Sequence, residues 1–485
     1  MHLEKKKYGI AMTVAGCLWL GLFPLLQFFT YQTITHDKWV CMLILSGITV
    51  VCFVIDALYH RICRPQLLPL ICGGGLLLWI SLSCVFSPYT NQTVWTDSPW
   101  IIGAGRREGL VSQLCYLGIF FFFSFSKIRL VPVKLSAGLG VVGFFIVAML
   151  QRAGGNPLGL YPGSFNFANA PHFQGTIGHI DMCAGYLVMM VGIFLPALLG
   201  EVKDLVSFFR KNKSYYIRAK KNLRSDKILK KSILERKNND KRKKISLAFL
   251  YVGFLLVVLS VCVYLLLTID VHLGVLSLLV LLTWTFIRFF PSKLRLPIFL
   301  VLLVLFLALV WYWPGRPGPM WELHEILQGR PLFWFGSARV GVWTYSFTLL
   351  REEGHLLFGT GADTFAIRFN AFLDAYYEAH PEAEHLWEYF DTPHNDYLAL
   401  AINCGIPALL FFLVLVVAGC FAAPAWRDGV LCYAVQVSLA FSVCIVAPMF
   451  WTILGLSFSM PSERKKETSS GKRIWKPKGK RLVIM

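Results

Sequence analysis

Charged side chains are scarce in this sequence. Asp, Glu, Lys and Arg make up 15% of its 485 residues, whereas about 25% is typical of soluble globular proteins. Acidic residues are the scarcer sign, with 27 against 47 basic residues and a formal net charge of +20. Together with a hydrophobic fraction of 56% and a mean hydropathy of +0.59, this composition excludes a soluble globular protein and predicts an integral membrane protein.

Cysteine, histidine and acidic residues at spacings typical of metal sites are also lacking. The 13 cysteines lie in or beside apolar segments, and none falls in the polar stretches near residues 88 to 108, 152 to 178 and 314 to 393. This distribution argues against a disulfide framework and favours small buried apolar side chains. The acidic stretch at 378–391, with its two histidines, matches no metal-site spacing and is interpreted as a solvated loop face.

Long apolar segments are abundant. A spanning helix needs about 20 apolar residues, since lipid offers backbone groups no partner, and the sequence predicts about twelve such helices in an all-α bundle. The last two come from residues 429 to 459, divided near Ala447 and Pro448 because proline disfavours helix continuation. The divisions are transmembrane helices one to six at 1–200, a basic cytoplasmic loop at 201–245, helices seven to nine at 246–313, a large extracytoplasmic loop at 314–395, helices ten to twelve at 396–460 and a basic cytoplasmic tail at 461–485.

Two basic segments set the predicted orientation. Residues 201 to 244 hold 17 Lys and Arg against five acidic residues, and residues 462 to 485 hold nine against two. Short positively charged segments stay in the cytoplasm, so both termini are expected inside and the loop at 314–395 outside. Attraction to anionic lipids is favoured over nucleic-acid binding, because few aromatic residues are interleaved with these charges.

A histidine marks the junction between the large loop and the apolar segment that follows it. Residues 392 to 398 read Thr-Pro-His-Asn-Asp-Tyr-Leu. Histidine has the side-chain pKa nearest neutrality, so it can take a proton from a hydroxyl nucleophile and release it later. The position predicts an active centre at the membrane surface, with His394 as general base. The structural alternative is that His394 caps the helix that begins beside it.

Several arginines break the charge rule by lying on or near the predicted outer face. A guanidinium group pairs with phosphate oxygens at two points, so as a set they indicate a phosphate-bearing substrate. Singly, each arginine could instead anchor a helix at lipid headgroups or pair with a neighbouring acid such as Glu108, Glu352 or Glu353. The set comprises Arg106, Arg107, Arg152, Arg316, Arg330, Arg339, Arg351 and Arg368.

These elements resemble the O-antigen ligase and Wzy polymerase superfamily of polytopic glycosyltransferases, over roughly residues 100 to 460. No single element is specific, but their order and their shared predicted face strengthen the resemblance. The matching elements are His-Asn-x-Tyr-Leu at 394–398, Arg-x-x-x-Trp at 339–343, Gly-x-Gly-x-x-x-Phe at 359–365, Gly-Thr-x-Gly-His-x-Asp-x-x-Ala at 175–184 and Arg-x-x-Gly-Leu at 106–110.

The sequence departs from the superfamily pattern at two places. His179 and Asp181 stand where asparagines are usual. Where many relatives carry Ser-Arg-Gly, residues 268 to 274 read Thr-Ile-Asp-Val-His-Leu-Gly, so no arginine role can be transferred there. His272 either replaces that arginine as a polar donor or is an interfacial histidine without a role in the reaction.

The resemblance implies a fold of the glycosyltransferase C kind and a donor glycan linked to undecaprenyl diphosphate or a similar lipid. His394 would act as general base on an acceptor hydroxyl, and Arg339 with Arg106 or Arg107 would stabilise the diphosphate as charge develops. Arginines that neutralise this charge make a metal or other cofactor unnecessary. Further substrate contacts are implied for His179, Asp181, His272, Trp343, Asn395 and Tyr397.

Two questions of function stay open in the sequence. The superfamily contains ligases, which pass a finished glycan to a lipid or protein, and polymerases, which join glycan repeats in the bacterial cytoplasmic membrane. The alternative is a transporter or flippase of lipid-linked glycans. Its charges should line a path through the bilayer, whereas here they concentrate at helix ends, with Asp56 the clearest exception.

Overall fold

The computed structural model describes residues 8–63, 66–89, 99–103, 106–162, 174–222, 229–269 and 271–459. Within these ranges the regular structure is helical, and the only β-type pairing is an isolated bridge between Ile62 and Ser126. The predicted all-α fold is confirmed. The tail at 461–485, expected in the cytoplasm, lies outside the described residues.

Five apolar helices form the first part of the bundle. The first changes to π geometry at Leu18 and to 3-10 geometry at Phe23, beside Pro24, whose ring cannot continue an α-helix. The buried Lys38 ammonium donates to the carbonyl oxygens of Phe23 and Pro24 at 3.0 and 3.1 Å, which pairs backbone groups at this helix end. The helices are α1 Ile10–Leu25, α2 Ile34–Leu58, α3 Leu67–Val85, α4 Leu110–Ser124 and α5 Leu130–Arg152.

Four helices follow, and α6 is the most enclosed of the three that are long enough to cross a membrane. In the most apolar 18-residue stretch of Ile180–Arg210, 72% of the residues are buried. Residues 201 to 245, expected as a loop, are helical on both sides of positions 223–228, which lie outside the description, because Lys, Arg and Glu are good helix formers. The helices are α6 Ile180–Asn222, α7 Leu229–Thr268, α8 His272–Ile287 and α9 Ser292–Trp311.

The large loop contains three helices, and the last two share a small core. Val342, Tyr345 and Phe369 are buried in it. Leu398 and Ile402, at the start of the next apolar helix, belong to the same core, so the loop rests on the membrane bundle. The helices are α10 Pro319–Leu327, α11 Arg339–Glu353 and α12 Phe365–Ala379.

The last part of the chain corrects one prediction. Residues 429 to 459 do divide, but the break spans 437–446, and Ala447 and Pro448 begin the following helix. Proline is tolerated there because the first helical turn has no intrahelical partner for its N–H. The helices are α13 Asp396–Phe421, α14 Arg427–Gln436 and α15 Ala447–Phe458.

Seven of the described helices are long and apolar enough to cross a membrane, and four shorter apolar helices accompany them. The polytopic bundle is therefore confirmed as an architecture. The predicted eleventh span is the exception, because α14 has only ten residues and includes Arg427, Asp428 and Gln436.

A break inside α13 docks the large loop onto the bundle. Gly405 has a φ of 85°, and the carbonyl oxygen of Asn403 accepts from the backbone N–H groups of Thr360 and Gly361 at 2.9 and 2.8 Å. At Gly359, whose φ is 66°, a Cβ would lie 2.3 Å from that same oxygen. The Gly-x-Gly element is thus needed for a close backbone approach.

Candidate functional site

His394 lies between α12 and α13, in a loop that fixes its ring. The residue has a φ of 52° and is half-buried. Its Nδ1 lies 3.3 Å from the carbonyl oxygen of Thr392. A carbonyl can only accept, so this bond requires the proton on Nδ1 and leaves the Nε2 lone pair available as a base.

The helix cap beside His394 is provided by a different residue. The Asn395 side-chain oxygen accepts from the backbone N–H of Leu398 at 3.0 Å, the usual geometry of an N-cap. The alternative in which His394 caps α13 is therefore wrong. Asn395, predicted as a substrate contact, uses its side-chain oxygen within the protein.

One aromatic ring brings three of the predicted residues together. The ring of Phe441 lies 5.2 Å from that of His394 and 5.5 Å from that of His179, between centroids. The Arg106 guanidinium carbon lies 3.8 Å from its centroid, within cation–π range. Sequence reasoning missed Phe441; the only signal is that Ser438 and Ser442 interrupt the apolar run around it.

Arg106 already has a carboxylate partner. Its Nε and Nη2 donate to the two carboxylate oxygens of Asp391 at 2.6 and 2.7 Å. Its backbone N–H, and that of Glu108, lie 3.2 Å from one carboxylate oxygen of Asp363. Arg106 is therefore placed by two segments of the large loop.

Arg107 faces a different neighbour from Arg106. It has a φ of 60°, and its guanidinium carbon lies 5.2 Å from the ring centroid of Trp39 on α2. The sequence left open which of the two arginines joins the site, and the contacts with Phe441 and Asp391 favour Arg106.

Arg339 begins α11 after a left-handed turn. Gly336, Ser337 and Ala338 have φ values of 64°, 57° and 65°. This left-handed conformation costs energy in residues other than glycine. Nη1 of Arg339 donates to the carbonyl oxygen of Gly336 at 2.5 Å, while its buried Nε has no partner among the described residues. Burial lowers the pKa of this guanidinium, and the charges of Asp181 and Glu322 oppose that shift. The group has capacity for a further anionic acceptor.

Two more predicted substrate contacts bond within the protein. The indole N–H of Trp343 donates to the carbonyl oxygen of Pro393 at 2.7 Å, next to His394. The Tyr397 hydroxyl donates to the carbonyl oxygen of Ala434 at 2.9 Å. Both contacts hold the segment that carries the histidine.

His179 and Asp181 stand at the start of α6, where His179 is exposed and its Nδ1 accepts from the backbone N–H of Asp181 at 3.3 Å. The Asp181 charge acts on both Arg339 and His394. His272 is exposed at the start of α8. The residues around the Phe441 ring, namely His394, His179 and Arg106, form the Phe441 cluster. None of the contacts described above connects His272 to it.

The surroundings of His394 make it a weak base. Burial, followed by the positive charges of Arg339 and Arg106, lowers its pKa to about 4. The Thr392 carbonyl and the Asp181 carboxylate act in the opposite direction but do not prevail. The imidazole is neutral at pH 7, as a general base must be.

A cavity of about 940 Å³, a volume that includes open solvent at its mouth, lies beside this cluster. Its lining combines Arg106 and four acidic side chains with apolar and aromatic residues. Carboxylates accept hydrogen bonds from hydroxyl groups, so the cavity suits a hydroxyl-bearing ligand with an apolar face. Its lining includes Glu108, Asp363, Asp391, Asp396, Tyr116, Phe412, Phe450 and Trp451.

A family model matches part of the chain. Residues 254–413 match the family model described as O-antigen ligase. The resemblance to the O-antigen ligase and Wzy superfamily is confirmed. The matched O-antigen ligase region, about a third of the chain, contains Arg339, Trp343 and His394, whereas Arg106 and His179 precede it. No curated protein matches the sequence.

Proposed function

We propose that the protein is a glycosyltransferase that transfers or polymerises a lipid-diphosphate-linked glycan. The observation that carries the proposal is the Phe441 cluster, in which a neutral histidine and an arginine contact one ring and the Arg339 charge acts on that histidine. A base beside two cations suits a reaction in which a hydroxyl loses a proton and a diphosphate leaves.

In the proposed reaction, the acceptor hydroxyl oxygen attacks the anomeric carbon of the donor. Nε2 of His394 takes the hydroxyl proton, the new glycosidic bond forms, and the bond from the anomeric carbon to the diphosphate oxygen breaks. The leaving oxygen keeps the electron pair. Arg339 and Arg106 stabilise its charge, the kind of electrostatic stabilisation that usually contributes most. The reaction as written needs no metal.

Donor binding also adjusts the base. The diphosphate brings negative charge to Arg339 and Arg106, the two cations that lower the pKa of His394. Neutralising them raises that pKa, while burial, the larger cause of the shift, still holds it below the ordinary value of about 6.5. His394 becomes a stronger base when the leaving group is in place.

The wider setting belongs to the same proposal. The reaction would take place at the outer face of the bacterial cytoplasmic membrane, with both termini in the cytoplasm, because the basic segments are predicted inside. The acceptor is a glycan, lipid or protein. His179 and Asp181 are proposed to contact substrate, since both lie by the Phe441 cluster.

Transfer of a radiolabelled glycan from its diphosphate carrier by the purified protein tests this function. We expect transfer by the wild type and by His36→Ala, which changes an exposed histidine on α2, and none by His394→Ala. Movement of the intact lipid-linked glycan across proteoliposomes without any transfer would support the flippase alternative. The length of the product distinguishes a ligase from a polymerase.

A further inference from the structure

The Arg106–Asp391 pair blocks the very group that the proposed function assigns to phosphate. Both side-chain bonds, at 2.6 and 2.7 Å, use the guanidinium fork in the two-point geometry that a phosphate would adopt. A diphosphate cannot form that contact while Asp391 holds it. Either Arg106 never binds donor through its fork, or the carboxylate leaves first.

Exposure and charge favour departure of the carboxylate. The Arg106 and Asp391 side chains are 24% and 37% exposed, so water can solvate Asp391 once it is released, and partly exposed ion pairs are weak. Arg106 keeps two other attachments, its backbone bond to Asp363 and its contact with Phe441. The guanidinium stays in place while its anionic partner changes.

The chain connects this exchange to the base. Asp391 precedes His394 by three residues. The carbonyl oxygen of Thr392, which lies between them, accepts a hydrogen bond from the imidazole ring. Trp343 fixes the same segment at Pro393. Asp391 and His394 therefore lie in one short segment, which Trp343 anchors at Pro393. A movement of the Asp391 carboxylate acts on the His394 ring through this segment.

We propose that Asp391 is a positioning residue that occupies Arg106 in the donor-free protein and is displaced by the donor diphosphate. The inference rests on the proposed function, because it takes Arg106 to bind the donor. In the donor-free protein, the Asp391 carboxylate neutralises the Arg106 charge beside His394. Displacement frees the Asp391 carboxylate, which lines the cavity.

Binding of farnesyl diphosphate to the full-length protein in detergent, measured by isothermal titration calorimetry, tests the inference. Asp391→Asn removes the competing charge, and we expect Kd to fall roughly two- to fivefold, the range that loss of a partly exposed ion pair allows. Asp374→Asn, the same change at an exposed position on α12, should leave Kd unchanged. Asp391→Ser replaces the Asn variant if that protein does not accumulate.

The arginine variant separates this inference from the proposed function. Arg106→Gln should raise Kd. An unchanged or raised Kd in Asp391→Asn, with a raised Kd in Arg106→Gln, overturns the exchange and leaves the donor site standing, because a merely structural ion pair does not compete with ligand. An unchanged Kd in Arg106→Gln removes Arg106 from the donor site and overturns the exchange, whereas the proposed function stands or falls separately with the glycan-transfer assay.

Discussion

The indole nitrogen of Trp343 and the carbonyl oxygen of Pro393 are joined by a hydrogen bond of 2.7 Å. Trp343 follows Arg339 by four residues on α11, so both lie on one face of the same helix. One helix therefore places the predicted diphosphate-binding arginine and holds the residue next to the predicted base. This relationship accounts for the spacing of the Arg-x-x-x-Trp element.

Trp343→Phe keeps an aromatic ring but removes the donor. We expect a stability loss of about 1 kcal/mol, typical of one hydrogen bond, and a fall in kcat of roughly tenfold or more, because a small misplacement of a base is costly. Denaturant unfolding and glycan transfer measure the two effects. Trp387→Phe, at a residue 83% exposed, is the matched control, and an equal kcat in the two variants would contradict a role for this bond in catalysis.

His394→Ala should reduce transfer by about 100- to 10,000-fold, the usual contribution of a general base. Donor binding should persist, because Arg339 and Arg106 remain. His394→Asn offers hydrogen-bonding groups of similar reach but takes no proton at neutral pH, so it should be as inactive as the Ala variant. Wild-type turnover in the Asn variant would refute the catalytic assignment.

The pH profiles should differ between the free and donor-bound protein. A lowered pKa keeps His394 neutral down to about pH 4, so kcat/KM should stay level near neutrality and fall only as the pH drops through about 4. Since donor charge raises this pKa, kcat should begin to fall at a higher pH. Initial-rate measurements from pH 4 to 8 check this order, and coincident profiles would argue against neutralisation of the arginines by donor.

Arg339→Lys keeps the positive charge and loses the planar fork. We expect most transfer activity to disappear while the protein still accumulates in the membrane. Arg330→Lys is the matched control, because Arg330 uses its guanidinium in a two-point contact with Glu325, at 2.8 and 3.0 Å, but is 61% exposed. Full activity in Arg339→Lys would make Arg339 a headgroup anchor.

Orientation can be tested by labelling single cysteines in a cysteine-free background. We expect an impermeant reagent added outside the cell to label Ser337→Cys, in the large loop, but neither Ser232→Cys nor Ser470→Cys. The physical reason is the concentration of Lys and Arg around the latter two positions. Labelling of Ser470→Cys from outside would place the C-terminal tail on the opposite face.

Apolar length and charge predicted the helical architecture, and reaction chemistry selected His394 and the arginines. Contacts between distant segments could not be predicted. Asp391 lies 285 positions from Arg106, and no local pattern distinguishes Arg106 from Arg107. Phe441 lies in an irregular segment within an apolar run, and hydropathy alone does not distinguish such a segment from a helix. The alternative of a His394 cap did not consider Asn395, although Asn is the better capping residue type.

The break at Gly405 has a consequence for biogenesis. The carbonyl oxygen of Asn403 and the N–H of Ile406 are paired with the large loop, through Thr360, Gly361 and Leu356. Unpaired backbone groups at membrane depth cost several kcal/mol, so α13 cannot reach its final form by insertion alone. The loop is synthesised first, yet it must wait for α13 to dock. Assembly of the active centre therefore follows insertion of α13, and a chain whose loop fails to fold leaves these backbone groups of α13 without their partners.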